Sequence, residues 1–198
     1  MKMRPTKQNS GHSSSVPNDV VRVLDACVAI NLAATGRPLR EFAPPGGTLW
    51  LCRRAANEAV YLELPGEEPG REHLDLGAAG KRAQVQVVNL RHDEYASFVE
   101  FASMVDDGEA EALAICASRH LVLATDDRKA RRIALERDVP VRLTSTASMM
   151  RHWATREPRP APLLIRAVLR SIETRARFFP ANSDRDFEWW HAAKAMRQ

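Results

Sequence analysis

Residues 20–30 read VVRVLDACVAI, an apolar run that ends in one acid, Asp25, and continues into helix-forming residues. The run is apolar on both faces, which is typical of a buried parallel strand over residues 20–24. A second such run, LVLATDD at residues 121–127, ends in Asp126 and Asp127. Because the carboxyl ends of parallel strands share one sheet edge, we expect these acids to meet there.

Outward from this segment, short apolar runs alternate with helical patterns. Strands are predicted at 20–24, 48–52, 85–90, 121–124 and 139–143, and helices at 28–34, 53–64, 93–105, 108–118, 128–136 and 145–153. This alternation predicts a three-layer α/β/α fold with a central parallel sheet. The prolines of REPRPAP, residues 156–162, mark a boundary before two further predicted helices. We therefore predict a disordered tail at 1–19, a main domain at 20–155 and a helical C-terminal extension at 156–198.

Composition indicates whether the chain folds, spans a membrane or is secreted. The 198 residues carry a net charge of +4, and 44% of them are hydrophobic, so the chain should fold around a full core. We find no run of the roughly 18 apolar residues that a membrane span needs. The basic, Ser-rich N-terminus has no apolar segment typical of a secretory signal. Three cysteines lie in apolar segments and are expected to be buried thiols, which favours a cytoplasmic location.

Three more acids lie in helical patterns. Glu58 falls inside the helix predicted over 53–64, while Glu109 and Glu111 open the helix of GEAEALAICA. Each acid alone has an ordinary explanation as a helix cap, a dipole partner or a solvated surface residue. Gathered at one sheet edge, however, the acids would repel one another unless a divalent cation such as Mg²⁺ or Mn²⁺ lay between them. The pattern therefore predicts a metal-dependent phosphodiesterase site, which needs no Ser, Cys or His nucleophile.

In order and spacing, four segments resemble the motifs of PIN-domain ribonucleases, and among them the VapC-like toxins of toxin–antitoxin modules. The segments are VLDACVAINL (23–32), WLCRRAANEAVYLEL (50–64), GEAEALAICAS (108–118) and LATDDRKARRIA (123–134). The resemblance places the catalytic and metal-binding acids of the family at Asp25, Glu58 and Glu111, with Glu109 as the near alternative. The last acid falls at Asp126 or Asp127, and the register there stays open.

The resemblance covers roughly residues 20–150. It implies a PIN-like fold, dependence on Mg²⁺ or Mn²⁺, and endonucleolytic cleavage of RNA. It also implies a homodimer and inhibition by a cognate antitoxin protein. Four basic residues directly follow the acids of the last motif, namely Arg128, Lys129, Arg131 and Arg132. They could hold substrate phosphate, and Arg131 or Arg132 could equally pair with a site carboxylate.

The extension has two interpretations. Its arginines 166, 170, 175 and 177 and its aromatic residues 178, 179, 189 and 190 could form an RNA-binding stripe. We favour the alternative, in which an apolar helix face packs on the main domain and the arginines are solvated. Two other functions also fit the acids: a non-catalytic PIN-like module that binds nucleic acid or protein, and a small phosphatase or phosphotransfer receiver. The receiver ranks low because the chain has no Lys near the last predicted strand.

Overall fold

The computed structural model describes residues 20–58, 60–64, 70–81, 85–137 and 139–195, so the tail predicted at 1–19 lies outside the described residues. In chain order, the elements are β1 (Val21–Leu24), α1 (Ala26–Ala34), β2 (Thr48–Cys52), α2 (Arg53–Asn57), β3 (Val60–Leu64), β4 (Gly70–Leu74), α3 (Leu76–Lys81), β5 (Gln86–Val88), α4 (Tyr95–Ala102), α5 (Asp107–Arg119), β6 (Val122–Ala124), α6 (Arg128–Glu136), β7 (Arg142–Thr144), α7 (Thr146–Thr155), α8 (Pro162–Arg175) and α9 (Phe187–Ala195). Short 3₁₀ helices lie at Leu39–Phe42 and His92–Glu94. Over these ranges, no helix is both long and apolar enough to cross a membrane.

Five strands form one sheet in the order β5–β2–β1–β6–β7, and every neighbouring pair is parallel. The central strand β1 is apolar except for the partly buried Arg22, and Val23 and Leu24 are fully buried between helical layers. Leu24 lies opposite Leu51 of β2 and Ala124 of β6, so the carboxyl ends of the three strands are level. The predicted α/β fold with a central parallel sheet and C-terminal helices is confirmed.

The helix predicted over residues 53–64 is wrong in its second half. α2 ends at Asn57, and Glu58 has extended backbone angles, φ −66° and ψ 139°. The chain then forms β3, which pairs antiparallel with β4, although neither strand was among those predicted. β3 alternates buried Val60 and Leu62 with exposed Tyr61, the period of a half-buried strand. Contacts of β3 with α1 and α8 bury that apolar face, so tertiary packing overrides helix propensity here.

α8 and α9 pack against the main domain and share its core. α8 contacts α1, and α9 contacts both α7 and α8. Leu169 and Ile172 of α8 and Trp190 of α9 are fully buried within the same apolar cluster as the sheet. Ser171 and Arg175 also donate hydrogen bonds to the Ala34 carbonyl at the end of α1, which a helix end otherwise leaves unpaired. The extension is therefore joined to the sheet domain by both apolar and polar contacts.

Candidate active site

Asp25 lies where β1 ends and α1 begins. Its Oδ1 accepts a hydrogen bond from the Ala26 amide at 2.8 Å, which caps α1. Its Oδ2 accepts from the Thr125 hydroxyl at 2.8 Å and from the Cys27 thiol at 3.2 Å. The residue is only 6% exposed. Burial raises the pKa of Asp25 despite these hydrogen bonds, and the nearby charge of Asp106 raises it further.

Glu58 reaches the same sheet edge from the end of α2. A Cβ built on Gly108, in the first turn of α5, would lie 2.5 Å from Glu58 Oε1 and 3.6 Å from Asp106 Oδ1. The Glu58 carboxylate therefore lies directly against the start of α5, in space that only glycine leaves open. Glu58 is exposed as a residue. Partial burial of its carboxylate nevertheless raises its pKa to about 7, with further contributions from the charges of Asp25 and Asp106.

Asp106 and Glu109 bring two more carboxylates from α5. Asp106 caps this helix, because its Oδ1 accepts from the Glu109 amide at 2.9 Å. Burial first, and then the charges of Asp106, Asp127 and Asp25, raise the pKa of Glu109 to about 7. Asp106 is not among the predicted site acids, so its proximity to them was missed. The sequence signal that could have revealed this proximity is the pair of aspartates directly before GEAEA. An aspartate that caps the start of α5 lies at the same sheet edge as Glu109.

Asp127 completes this group from β6. It caps α6 by accepting from the Ala130 amide at 2.7 Å, and its own amide donates to the Thr125 hydroxyl at 3.1 Å. Because Thr125 also donates to Asp25, one threonine joins the ends of β1 and β6. Carboxylates from four parts of the fold are close enough to raise one another's pKa values. We call these residues, Asp25, Glu58, Asp106, Glu109 and Asp127, the acidic cluster.

Two of the predicted acids have other partners. Glu111 is 1% exposed, and its Oε2 accepts from the Arg54 amide at 2.8 Å, which satisfies the first turn of α2. Asp126 accepts from the Thr146 amide at 2.9 Å, from the Thr146 hydroxyl, and from the Asn31 side chain at 3.1 Å. These bonds direct Asp126 toward the start of α7 rather than toward Glu58 and Glu109.

The predicted phosphate-binding arginines also differ in their surroundings. Arg131 donates from Nη1 to the carbonyls of Thr125 and Thr144, at 2.9 and 3.1 Å, and so joins the ends of β6 and β7. Arg132 lies 3.9 Å from Glu136 in an exposed pair one turn apart. Arg128 is exposed at the first position of α6. Arg128 and Arg131 therefore place positive charge at the start of α6, close in the chain to Asp127 of the acidic cluster.

A family described as PIN domain matches residues 22–150, from β1 into α7. The chain belongs to the PIN-domain family. No curated protein and no solved structure matches it at a significant level. PIN domains are generally nucleases, so membership indicates a nuclease-type function. The match contains the whole acidic cluster, while α8 and α9 lie outside it.

PIN domains typically use divalent metals, and the donor set here fits such an ion. The acidic cluster offers only carboxylate oxygens, which hard cations prefer. In the part of the chain that is described, the carboxylates of Glu58 and Glu109 have no hydrogen-bond donor and no cationic partner. Within the same ranges, no three His, Cys, Asp or Glu side chains are close enough as placed to hold one metal. A shared cation would therefore require side chains of the acidic cluster to move closer together.

Proposed function

We propose that this PIN domain is a Mg²⁺- or Mn²⁺-dependent endoribonuclease. The observation that carries the proposal is the convergence of carboxylates at one sheet edge, where Thr125 bonds to both Asp25 and Asp127 and the Glu58 carboxylate lies against the start of α5. In agreement with this geometry, burial and the charges of Asp25 and Asp106 raise the pKa values of Glu58 and Glu109 to about 7. Placing acids where they repel one another costs folding free energy, and a divalent cation would reverse that cost.

The acidic cluster would hold the cation, directly or through water. When bound, such a cation makes water a stronger nucleophile at neutral pH and withdraws charge from a phosphodiester. Thr125 fixes the orientation of Asp25 through its hydroxyl and aligns Asp127 through the amide of that residue. Gly108 leaves the space that Glu58 occupies. Arg131 holds a positive charge at the same edge, where it would attract the phosphate backbone.

The resemblance to VapC-like toxins supports a biological role for this activity. We propose that the chain is the toxin of a toxin–antitoxin pair, with RNA as substrate, a cognate antitoxin as inhibitor and a homodimer as the active form. Induced expression in a bacterial host should then arrest growth, and Asp25→Asn should abolish the arrest at an equal protein level. Equal arrest by both chains would contradict the toxin assignment.

The biochemical test uses the purified full chain and a mixed pool of single-stranded and structured RNA. Cleavage should require added Mg²⁺ or Mn²⁺ and should stop in excess chelator. Asp25→Asn should lower the cleavage rate by roughly a hundredfold or more, the scale on which one electrostatic catalytic group acts. The matched control is Asp93→Asn, which changes an exposed acid in a 3₁₀ helix and should leave the rate unchanged.

Three outcomes would contradict this function. Cleavage that persists in chelator would exclude metal dependence. An Asp25→Asn chain as active as the wild type would exclude the acidic cluster as the site. RNA binding without cleavage at any concentration of either metal would favour the non-catalytic binding module.

A further inference from the structure

A cleft of about 270 Å³ lies next to the acidic cluster, between the first turns of α6 and the segment that follows α8. One wall carries Arg128 and Arg131, and the other carries Phe178 and Phe179. Asp126 lies on the lining, and the next residue along the chain belongs to the acidic cluster. The cleft is therefore a neighbour of the candidate active site, built half by the PIN domain and half by the C-terminal extension.

Phe179 is 63% exposed, although residues on both sides of it are anchored. The preceding Phe178 packs edge-on against buried Trp190, with ring centroids 5.7 Å apart, and the following Pro180 is buried. Arg177 has φ 53°, a left-handed conformation that turns the chain sharply after α8. The backbone thus holds an aromatic ring at the surface, at a position where an apolar side chain gains nothing from the core.

The opposite wall is cationic. Arg131 is fixed by two backbone carbonyls, so its charge is held in place. Arg128 makes no ion pair with any described residue, and its guanidinium is open to a ligand. Two carboxylates also line the cleft: Asp126 accepts hydrogen bonds from Asn31 and Thr146, and Asp184 accepts at Oδ1 from the Asp186 amide at 2.8 Å. The cleft therefore has one side that carries two arginines and one side that carries aromatic rings.

We propose that this cleft binds one unpaired nucleotide of the substrate beside the cleavage site, with its base stacked on Phe179 and its phosphate at Arg128. This inference rests on the proposed nuclease function. Aromatic side chains and basic groups together are the usual means of holding single-stranded nucleic acid. The cleft volume lies near the lower limit of about 300 Å³ for ligand pockets, which suits one nucleotide. A paired base keeps its faces stacked within the helix, so the site selects single strands.

The test is a binding measurement with the full chain in the Asp25→Asn background, which prevents cleavage. The probe is a fluorescein-labelled single-stranded RNA of about 12 nucleotides, within the site sizes of such proteins. Phe179→Ala should weaken binding roughly tenfold, and Phe179→Trp should preserve it. The matched control is Tyr95→Ala, which removes an aromatic ring of similar exposure from α4, and it should leave the affinity unchanged.

A series of probes with a single abasic site at successive positions gives the sharper readout. At one position the abasic site should remove the effect of Phe179→Ala, because the base that the ring contacts is then already missing. If Phe179→Ala and Tyr95→Ala bind the RNA equally, or if no abasic position is coupled to Phe179, the nucleotide site is overturned while the nuclease proposal stands. If the Asp25→Asn chain does not bind RNA and the wild type does not cleave it, both proposals fail.

Discussion

At the scale of single residues, Glu109 and Glu111 show how two neighbouring acids take different roles. Residues two apart on an α-helix are separated by about 200° around its axis, so they face nearly opposite directions. Glu109 faces the other carboxylates of the acidic cluster, whereas Glu111 faces α2 and accepts from the Arg54 amide. The family resemblance placed the acid at Glu111, but the geometry favours Glu109.

Exchanging each glutamate separately tests this assignment. Glu109→Gln should abolish metal-dependent cleavage without destabilising the fold, since no described residue donates to its carboxylate and the change removes a charge that neighbouring acids repel. Glu111→Ala should instead destabilise the fold by about 1–3 kcal/mol, because it leaves the Arg54 amide without its acceptor. Cleavage rates and urea denaturation of the two variants provide the measurement. Full activity of Glu109→Gln would return the catalytic assignment to Glu111.

Gly108 offers a second test at this scale. In Gly108→Ala, the new Cβ would lie 2.5 Å from Glu58 Oε1, so the Glu58 carboxylate must move away. We expect cleavage to fall at least tenfold, while helix propensity raises stability by up to about 1 kcal/mol.

A matched control for this change is Gly77→Ala in α3. There the nearest atoms to the added Cβ are Asp75 Oδ1 at 3.2 Å and the Ala56 carbonyl oxygen at 3.4 Å. This variant should retain its cleavage rate, measured on the same RNA. An unimpaired Gly108→Ala enzyme would show that Glu58 does not need the space beside Gly108 in order to act.

At the scale of elements, one buried ion pair joins the end of α5 to the 3₁₀ helix before α4. Arg119, in the last turn of α5, donates to both carboxylate oxygens of Glu94 at 2.6 and 2.7 Å, and to the Asn89 carbonyl just after β5. Burial alone would raise the pKa of Glu94. The hydrogen bonds from Arg119 and from the Arg91 amide outweigh burial and hold the pKa below its ordinary value.

This pair should make stability depend on pH. A carboxyl with a lowered pKa stabilises the fold fully above its unfolded pKa of about 4.3, and the stabilisation is lost as pH falls through the lower, folded value. At pH 7, Glu94→Gln should cost about 3–5 kcal/mol of unfolding free energy, because it leaves Arg119 buried without its counter-charge. The loss of unfolding free energy caused by Glu94→Gln should become smaller below about pH 4. Denaturant titrations at each pH measure this loss.

The control for the pH experiment is Glu100→Gln, which breaks an exposed pair with Arg137. Such surface pairs contribute between 0 and about 1 kcal/mol, so this variant should differ little from the wild type at any pH. A cost of Glu94→Gln that stayed constant from pH 7 to pH 3 would mean that packing, rather than charge, explains it.

At the scale of the whole molecule, the extension and the PIN domain depend on one core. Trp190 is fully buried between them, and its Nε1 donates to Glu173 of α8 at 2.8 Å. Lys194 binds the same carboxylate oxygen of Glu173 and so joins α9 to α8 a second time. The extension therefore holds the Phe179 wall of the cleft in a set position relative to the acidic cluster.

Trp190→Ala should therefore destabilise the entire chain by about 3–5 kcal/mol. Unfolding followed by circular dichroism and by fluorescence should remain a single coincident transition, because a shared core unfolds cooperatively. Trp189→Ala, which removes a partly buried ring, should cost less. Two separate transitions in Trp190→Ala would show that the extension folds independently.

The sequence by itself determined the α/β class, the parallel sheet and the position of Asp25 at its edge. These features depend on local patterns: apolar runs of strand length, alternation with helices, and acids at strand ends. The start of α5 was likewise predictable, because an aspartate cap is a local signal.

Only the tertiary structure decided which acids face one another. The packing of α5 on α2 turns Glu111 toward the Arg54 amide and leaves Glu109 at the sheet edge, and contacts with α1 and α8 turn the residues after Glu58 into a strand. For the same reason, only the tertiary structure shows that Asp106 lies in the acidic cluster, and that Phe179 is exposed while Trp190 is buried. The direction of a side chain depends on residues distant in sequence, and no local pattern carries that information.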